Sequence, residues 1–426
     1  MAEKATGPRK PDQRLHVLFL QGPTSFYMEK VARLLIARGH RASRINLHFG
    51  DRLYWRLPAT NYRGRPEDWR AFIARFLDAD PVTHLFLLGD RRFYHRIAIE
   101  EARKRGVEII CSELGYLRPD WLVLERDGMS TYSRMPRDPA VIRSLAQNFE
   151  SPDFTIRCTM PFWRVAVTDI VYSIGMVFFP LHFPHYQRHA IHHPFAEYAG
   201  WIRRWLLSPV EKRRTEEAMQ ALAGTKAPTF ILPLQLSTDF QIRDHSPYPD
   251  MPTAAREIIA SFAARAPRAA RLVVKMHPQD SGLTPWRKVI TALAKDHDAS
   301  DRVFYIDRGD LRQMLRDAAG CVLVNSTVGL TALQQGCPVK VLGNAVFDVP
   351  GMTFQGPLDD FWSQASPPDM ELVRDYVRLL AGAVHIRGGY YTAEALALAV
   401  PATVQRLEQG LPWLPPRVPA CQSATR

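Results

Sequence analysis

Short apolar runs, each stopped by a polar turn and followed by apolar residues at helical spacing, recur from the start of the chain. Residues 15–20 form the first run, which ends in Gln21-Gly22-Pro23; Phe26, Val31, Leu34 and Leu35 then share one helical face up to Gly39. The same reading predicts strands at 41–46, 83–88 and 107–111, with helices at 68–77 and 93–105 between them. Strands alternating with helices predict a parallel sheet covered on both faces, the first Rossmann-like half. Each strand ends in polar residues or glycine, as at Gly89-Asp90.

A second set of strands begins at 228–234 and continues through 271–343, which reads as strand, polar turn, strand, helix, strand, helix, strand. A helix over 253–265 leads into it. Two turns there carry residues suited to an activated nucleotide sugar. Lys275-Met276-His277-Pro278 follows the apolar run Leu272-Val273-Val274, and Asn325-Ser326-Thr327 follows Val322-Leu323-Val324. Ligands of open α/β sheets sit outside the carboxyl ends of the strands. Hydroxyls and backbone N–H groups at a helix start also suit a phosphate oxygen. The loop 235–246, with Gln235, Asp239, Arg243 and Ser246, offers donors and acceptors for a polyhydroxylated acid on the same edge.

Two stretches break the alternation. Residues 112–121 place Glu113, Arg118, Asp120 and two aromatics beyond the fourth strand of the first half. One reading gives a carboxylate work as base or nucleophile, with Arg118 pairing a substrate carboxylate. The other is a loop stapled by an ion pair, with Asp120 as a turn former after proline. Residues 165–183 are mostly apolar but contain Asp169 and Pro180, which argues against a spanning helix; His185, Arg188, His189, His192 and His193 follow. This segment reads either as amphipathic structure on a membrane surface or as helices packed between domains. The histidines lack the spacing of a metal site, so no metal is expected.

Composition narrows the classes. The 426 residues are 46% hydrophobic and 23% charged, enough for two domains with a core each. Lys+Arg exceed Asp+Glu by 55 to 43, a net +12 that favours phosphates, acidic sugars or an anionic membrane. No nucleic-acid-binding motif accompanies the charge, so no nucleic-acid partner is expected. The five cysteines show no CxxC spacing and read as buried thiols of a reducing compartment. The polar N-terminus lacks the apolar stretch of a secretion signal.

Taken as an ordered set, ten stretches resemble the KpsS/LipB family of bacterial capsule polysaccharide proteins: VLFLQGPTSFYMEKVARLLIARGH, RINLHFGDRLYW, NYRGRPEDW, LLGDRRFYHRIAI, ELGYLRPDW, PLQLSTDFQIRDHSPY, LVVKMHP, YIDRGDL, VNSTVGLTALQQGCPVKVLG and FDVPGMTFQG. They run from about residue 15 to 365. The resemblance implies an α/β protein of the GT-B class, two Rossmann-like domains facing across a cleft. It implies a retaining transferase that moves Kdo from CMP-β-Kdo to a phosphatidylglycerol-type lipid, without a cofactor or metal. The reaction would occur at the cytoplasmic face of the inner membrane, alongside a KpsC-type Kdo transferase and the capsule exporter. The corresponding domains are 1–150 (acceptor and catalysis), 151–215 (an apolar and basic helical segment), 216–380 (CMP-Kdo binding) and 381–426 (C-terminal helices and a Pro-rich tail). His277 and Pro278 resemble the HP pair of CMP-sugar transferases, which implies nucleotide contacts from Lys275, His277, Pro278, Asn325, Ser326 and Thr327.

Related retaining Kdo transferases carry an acidic pair before a Gly-aromatic-Leu-Arg run; here the second acid is Leu114. Glu113 is therefore the first choice as nucleophile and Asp120 the second, with His277 assisting departure of CMP. Gln21, Gly22, Asp90, Arg118, Gln235, Asp239, Arg243 and Ser246 are the expected sugar or acceptor contacts. A UDP-sugar enzyme such as a UDP-GlcNAc epimerase and a non-catalytic export scaffold are the rival readings.

Overall fold

In the computed structural model, residues 14–188, 193–223, 227–236 and 240–416 are described. The chain divides into two α/β units, the first built from 1–136, 148–189 and 378–426 and the second from 137–147 and 190–377. The segment 151–215, read as one block from the sequence, is thus shared between the units, and the C-terminal residues return to the first.

In chain order the first unit contributes β1 (His16–Phe19), β2 (Arg41–Asn46), β3 (Thr60–Asn61), β4 (His84–Leu88), β5 (Glu108–Leu114) and β6 (Trp121–Arg126). The second contributes β7 (Thr229–Pro233), β8 (Arg271–Lys275), β9 (Val303–Ile306), β10 (Gly320–Leu323) and β11 (Val339–Val341), before β12 (His385–Arg387) rejoins the first. The first sheet has the order β12-β6-β5-β4-β1-β2-β3 and the second β11-β10-β7-β8-β9. β1 to β5 pair in parallel, as do all five strands of the second sheet. β6 and β12 add antiparallel pairings at one edge.

The α/β class and the alternation read from the sequence are both present. β1 and β4 are buried along their whole length because helices cover both faces, which is why they read as unbroken apolar runs. Several elements lie outside that pattern. β6 follows β5 directly and turns back on it antiparallel, while β12 is three residues long and reaches β6 from far along the chain. Where the sequence reads as a polar turn, the chain forms the helix Trp286–Asp296, with Trp286, Ile290, Leu293 and Ala294 as its buried stripe.

Each unit has its own core. Phe19, Tyr27, Phe86 and Ile110 meet Tyr390, Val404 and Leu407 of the returning C-terminal segment in the first. Phe230, Phe262, Trp286, Phe361 and Trp362 anchor the second. Strand order reverses between β1 and β4 in one sheet and between β7 and β10 in the other. The carboxyl ends of those strands are where such sheets bind ligands.

Candidate active site

In the first unit the strand ends carry three of the expected residues together. Glu113 is the penultimate residue of β5, half-buried, and its Oε1 accepts from the backbone N–H of Leu114 at 3.0 Å. Its Oε2 lies 3.6 Å from where a Cβ on Gly89 would stand, and Gly89 has φ +64°, a conformation that costs glycine nothing. The β4 turn therefore meets the carboxylate at ordinary contact distance. Arg118 keeps an exposed side chain; the surrounding protein lowers its pKa, while Glu113 and Tyr390 act to raise it. Asp90, at the β4 end, is buried and accepts from the Met129 N–H at 3.1 Å. Burial pushes its pKa up.

Asp120 has a different role. It is 1% exposed; Oδ1 accepts from Arg387 at 2.7 Å and Oδ2 from the Arg157 N–H at 2.7 Å. Arg387 also stacks over Trp121, 3.9 Å from the ring centroid. One carboxylate oxygen fastens β12 and the other the backbone at Arg157, so Asp120 is a structural anchor. Glu113 is the better-placed carboxylate.

Gln21 and Gly22 do not line an open strand end. Gln21 is buried, and its Nε2 donates to the hydroxyls of Tyr172 and Tyr186, both at 3.0 Å. Gly22 packs against Met28. Gln21 belongs to a buried polar centre that the sequence did not reveal. His48 accepts from Gly50 N–H at Nδ1 (2.9 Å), which leaves Nε2–H to donate to the Tyr172 hydroxyl. Arg44 donates to the Leu20 carbonyl at 2.6 Å and pairs with Asp51 at 3.3 Å. Burial lowers the pKa of His48, an effect that Asp51 opposes. This centre fastens the helix Phe162–Phe178 to the ends of β1 and β2.

Tyr390 and Tyr391 were also missed. Tyr390 shares a 2.7 Å hydrogen bond with Ser112, next to Glu113. Tyr391 is pushed up to about 12, first by burial and further by the charge of Glu113. Their only sequence signal is the tandem Gly-Gly-Tyr-Tyr at 388–391.

In the second unit the β8 turn is built as a rigid hook. His277 Nδ1 accepts from the Gln279 N–H at 3.1 Å, so the ring proton resides on Nε2 in the neutral form. Asp280 N–H donates to the His277 carbonyl at 3.1 Å, while the Asp280 carboxylate takes the Gly282 N–H and the Trp286 indole N–H. Arg204 closes the hook from outside, donating to the carbonyls of Pro278 (2.8 Å) and Asp280 (2.6 Å) and pairing with Asp307 at 3.3 Å. Lys275 is buried at the strand end, where burial lowers its pKa and Asp307 acts to raise it.

Asn325 and Gln235 face each other across the switch point of this sheet. Gln235 Nε2 donates to Asn325 Oδ1 at 2.9 Å, and Gln235 Oε1 accepts from the Asn325 N–H at 3.1 Å. These contacts join the ends of β7 and β10. Ser326 accepts from the Val328 N–H at 3.3 Å just ahead of a helix only seven residues long; Thr327 is the half-buried residue at its N-cap. Ser246 donates to the Ile242 carbonyl at 2.6 Å, closing the helix before it. Of the remaining expected contacts, Pro278 is exposed on the hook, and Asp239 and the side chain of Arg243 lie outside the described residues.

A profile of the capsule polysaccharide biosynthesis proteins matches residues 83–391, most of the chain. The chain belongs to the capsule polysaccharide biosynthesis protein family. Among members of this family, the capsule polysaccharide export protein KpsS of Escherichia coli is 31% identical over 379 residues, covering 88% of this chain and 96% of that protein. The capsule polysaccharide modification protein LipB of Neisseria meningitidis serogroup B is 30% identical over 394 residues, covering 88% and 92%. A solved Thermosulfurimonas dismutans structure, KpsC, β-Kdo 2,7 transferase, overlays 92% of this chain and 99% of its own with a TM-score of 0.45 at 14% identity.

The strand ends also make a pH prediction. His385 Nε2 accepts from the Tyr116 N–H at 2.9 Å while Nδ1 donates to the Leu380 carbonyl, and burial holds its pKa down to about 4. Between pH 4 and 6.5 the unfolded state therefore binds more protons, so stability is present above 6.5 and is lost as pH falls, by roughly 3 kcal/mol for this residue. His95, held at about 3 by burial and the charge of Arg92, acts in the same direction. Glu125 opposes them: burial raises it to about 7, against the hydroxyls of Ser133 and Tyr116, so its contribution to stability is lost as pH rises through that value. The melting temperature is expected to fall from pH 7 to 4.5, and more steeply in Glu125→Gln; an equal or shallower fall in that variant would contradict this assignment.

Proposed function

We propose that this protein is a retaining glycosyltransferase that moves Kdo from CMP-β-Kdo to a phosphatidylglycerol-type lipid, beginning the linker of a capsular polysaccharide. The observation that carries the reading is Glu113, an accessible carboxylate at a strand end next to Arg118, in a chain of the capsule family. Glu113 attacks the anomeric carbon of Kdo; a carbon–carboxylate bond forms as the bond to the CMP phosphate breaks. A lipid hydroxyl then attacks the same carbon, the ester bond breaks, and the hydroxyl proton leaves to solvent. Two inversions give retention. Arg118 pairs with the Kdo carboxylate through charge-assisted hydrogen bonds.

In this reading the second unit holds the nucleotide. His277 donates from Nε2 to the phosphate, and Ser326 and Thr327 supply hydroxyls. The rigid hook at 277–280 supports that role, because preorganised donors stabilise a leaving phosphate without reorganising. No cofactor or metal is assigned. The protein works at the inner face of the inner membrane, beside a KpsC-type transferase and the exporter.

The test is transfer to a synthetic lipid-phosphoglycerol from CMP-Kdo generated in place, read by mass spectrometry. One added Kdo with retained configuration supports the proposal. No transfer by folded wild type, with and without a KpsC-type partner, leaves an export scaffold as the better account; turnover of UDP-GlcNAc alone points to an epimerase.

A further inference from the structure

Two helices each carry an apolar stripe on the outside and a site-holding residue on the inside. In Phe162–Phe178, Trp163, Val167, Ile170, Val171 and Ile174 recur at the spacing of one helical face. All five are exposed, Trp163 by 59% and Val167 by 51%. The opposite side bears Tyr172, bonded to Gln21 and His48 at the ends of β1 and β2, and Gly175, packed on Leu53 and Phe49 of the same unit. The stripe therefore faces away from its own core.

Pro194–Ala223 of the second unit repeats the design. Phe195, Ile202, Trp205, Leu206 and Val210 share one face and are exposed, Trp205 by 74%. Arg204, on the other side, holds the His277–Asp280 hook, and Gly200 packs against the Ser281 carbonyl. Contiguous apolar surface of this kind marks an interaction site on a protein that is otherwise ordinary in composition.

The charges nearby choose the partner. From residue 154 to the end of the second helix at 223, eight Lys and Arg stand against five Asp and Glu, in a chain of net charge +12; Arg203 and Arg204 are turned inward to the 278–282 loop, which leaves Arg164 as the cation set on the first stripe. Arg164 lies over Trp163, 4.9 Å from its ring, so the cation can remain at the edge of the stripe while the indole goes deeper. Apolar faces with tryptophan and flanking arginine are the pattern of a helix lying in the interface of an anionic bilayer. Among the described residues no helix is long and apolar enough to cross one.

We infer that the outer faces of Phe162–Phe178 and Pro194–Ala223 seat this protein on an anionic lipid surface, each helix holding strand-end loops of its own unit from behind. This deepens the lipid-acceptor reading by naming the surface that meets the bilayer.

The test is flotation of the full-length protein with phosphatidylcholine vesicles containing roughly one third phosphatidylserine, and with phosphatidylcholine alone. Neither holds a phosphoglycerol acceptor or a sugar donor, so the result stands whatever sugar the enzyme moves, and failed Kdo transfer leaves it untouched. Wild type is expected to float with the anionic vesicles only, less so at high salt. Val167→Glu with Ile174→Glu, and separately Ile202→Glu with Leu206→Glu, are each expected to weaken binding at least about tenfold with unchanged melting temperature. Absence of binding by wild type, or binding that both double variants retain, overturns the inference. So does a concentration-dependent dimer that the variants abolish in a protein that ignores vesicles, since a second copy would then be the occupant.

Discussion

Glu113→Gln is expected to lower transfer of Kdo by at least about 1,000-fold while the protein stays folded. The amide keeps the size and the hydrogen bond from the Leu114 N–H but cannot form the covalent intermediate. The loss should fall on kcat, with donor binding retained, because the substitution leaves Arg118 and the whole second unit intact. Mass spectrometry of wild type quenched in turnover should find Kdo on the peptide containing Glu113, and Glu113→Gln should show none there. Kdo attached to a different carboxylate, or transfer by the variant within tenfold of wild type, would remove Glu113 from the mechanism. His277→Ala serves as the comparison: loss of one donor to the leaving phosphate is expected to cost about 100-fold, less than loss of the nucleophile.

The second large effect is on stability and comes from the other carboxylate. Arg387→Ala strands Asp120, a side chain 1% exposed, with one remaining hydrogen bond, from the Arg157 N–H. Removing one partner of a buried ion pair costs about 3–5 kcal/mol, a large share of what holds a domain folded. Denaturant unfolding should show this as a fall in midpoint with little change in slope. Asp120→Asn should also lower the midpoint, yet retain transfer per folded molecule within about tenfold, since its carboxylate touches other protein groups and not the reacting sugar. A normal midpoint combined with lost transfer in Asp120→Asn would return Asp120 to the catalytic list.

These two carboxylates stand seven residues apart on one stretch of sequence, and local reading gave each a place. Their separation into different roles depends on Arg387, which lies 267 residues from Asp120 in the chain and meets it only because β12 pairs with β6. Gln235 and Asn325 teach the same lesson. Both fall at strand ends, as the sequence implied, but their amides answer one another across 90 residues. Gln21 likewise turns inward to two tyrosines, 151 and 165 residues on. A polar side chain at a strand end can serve a ligand or a neighbour, and only its three-dimensional surroundings distinguish the two.

The β8 hook was more legible. His277 and Pro278 follow an apolar run directly, and the turn they make is closed by bonds among adjacent residues. What the sequence withheld there was Arg204, which arrives from a helix, 74 residues before Pro278.

By itself the sequence determined what depends on neighbours in the chain: most of the alternating strands and helices, and the ordered motifs of the capsule family. Hydrophobic periodicity and turn chemistry are local, so they are written in consecutive residues. Tertiary structure alone decided which polar groups are consumed in holding strand ends together, how the C-terminal residues re-enter the first unit, and which face of the Phe162–Phe178 helix is left outside. Those outcomes require burial and pairing between residues brought together by sheet order, and the cost of leaving a buried charge or amide unmatched selects among them.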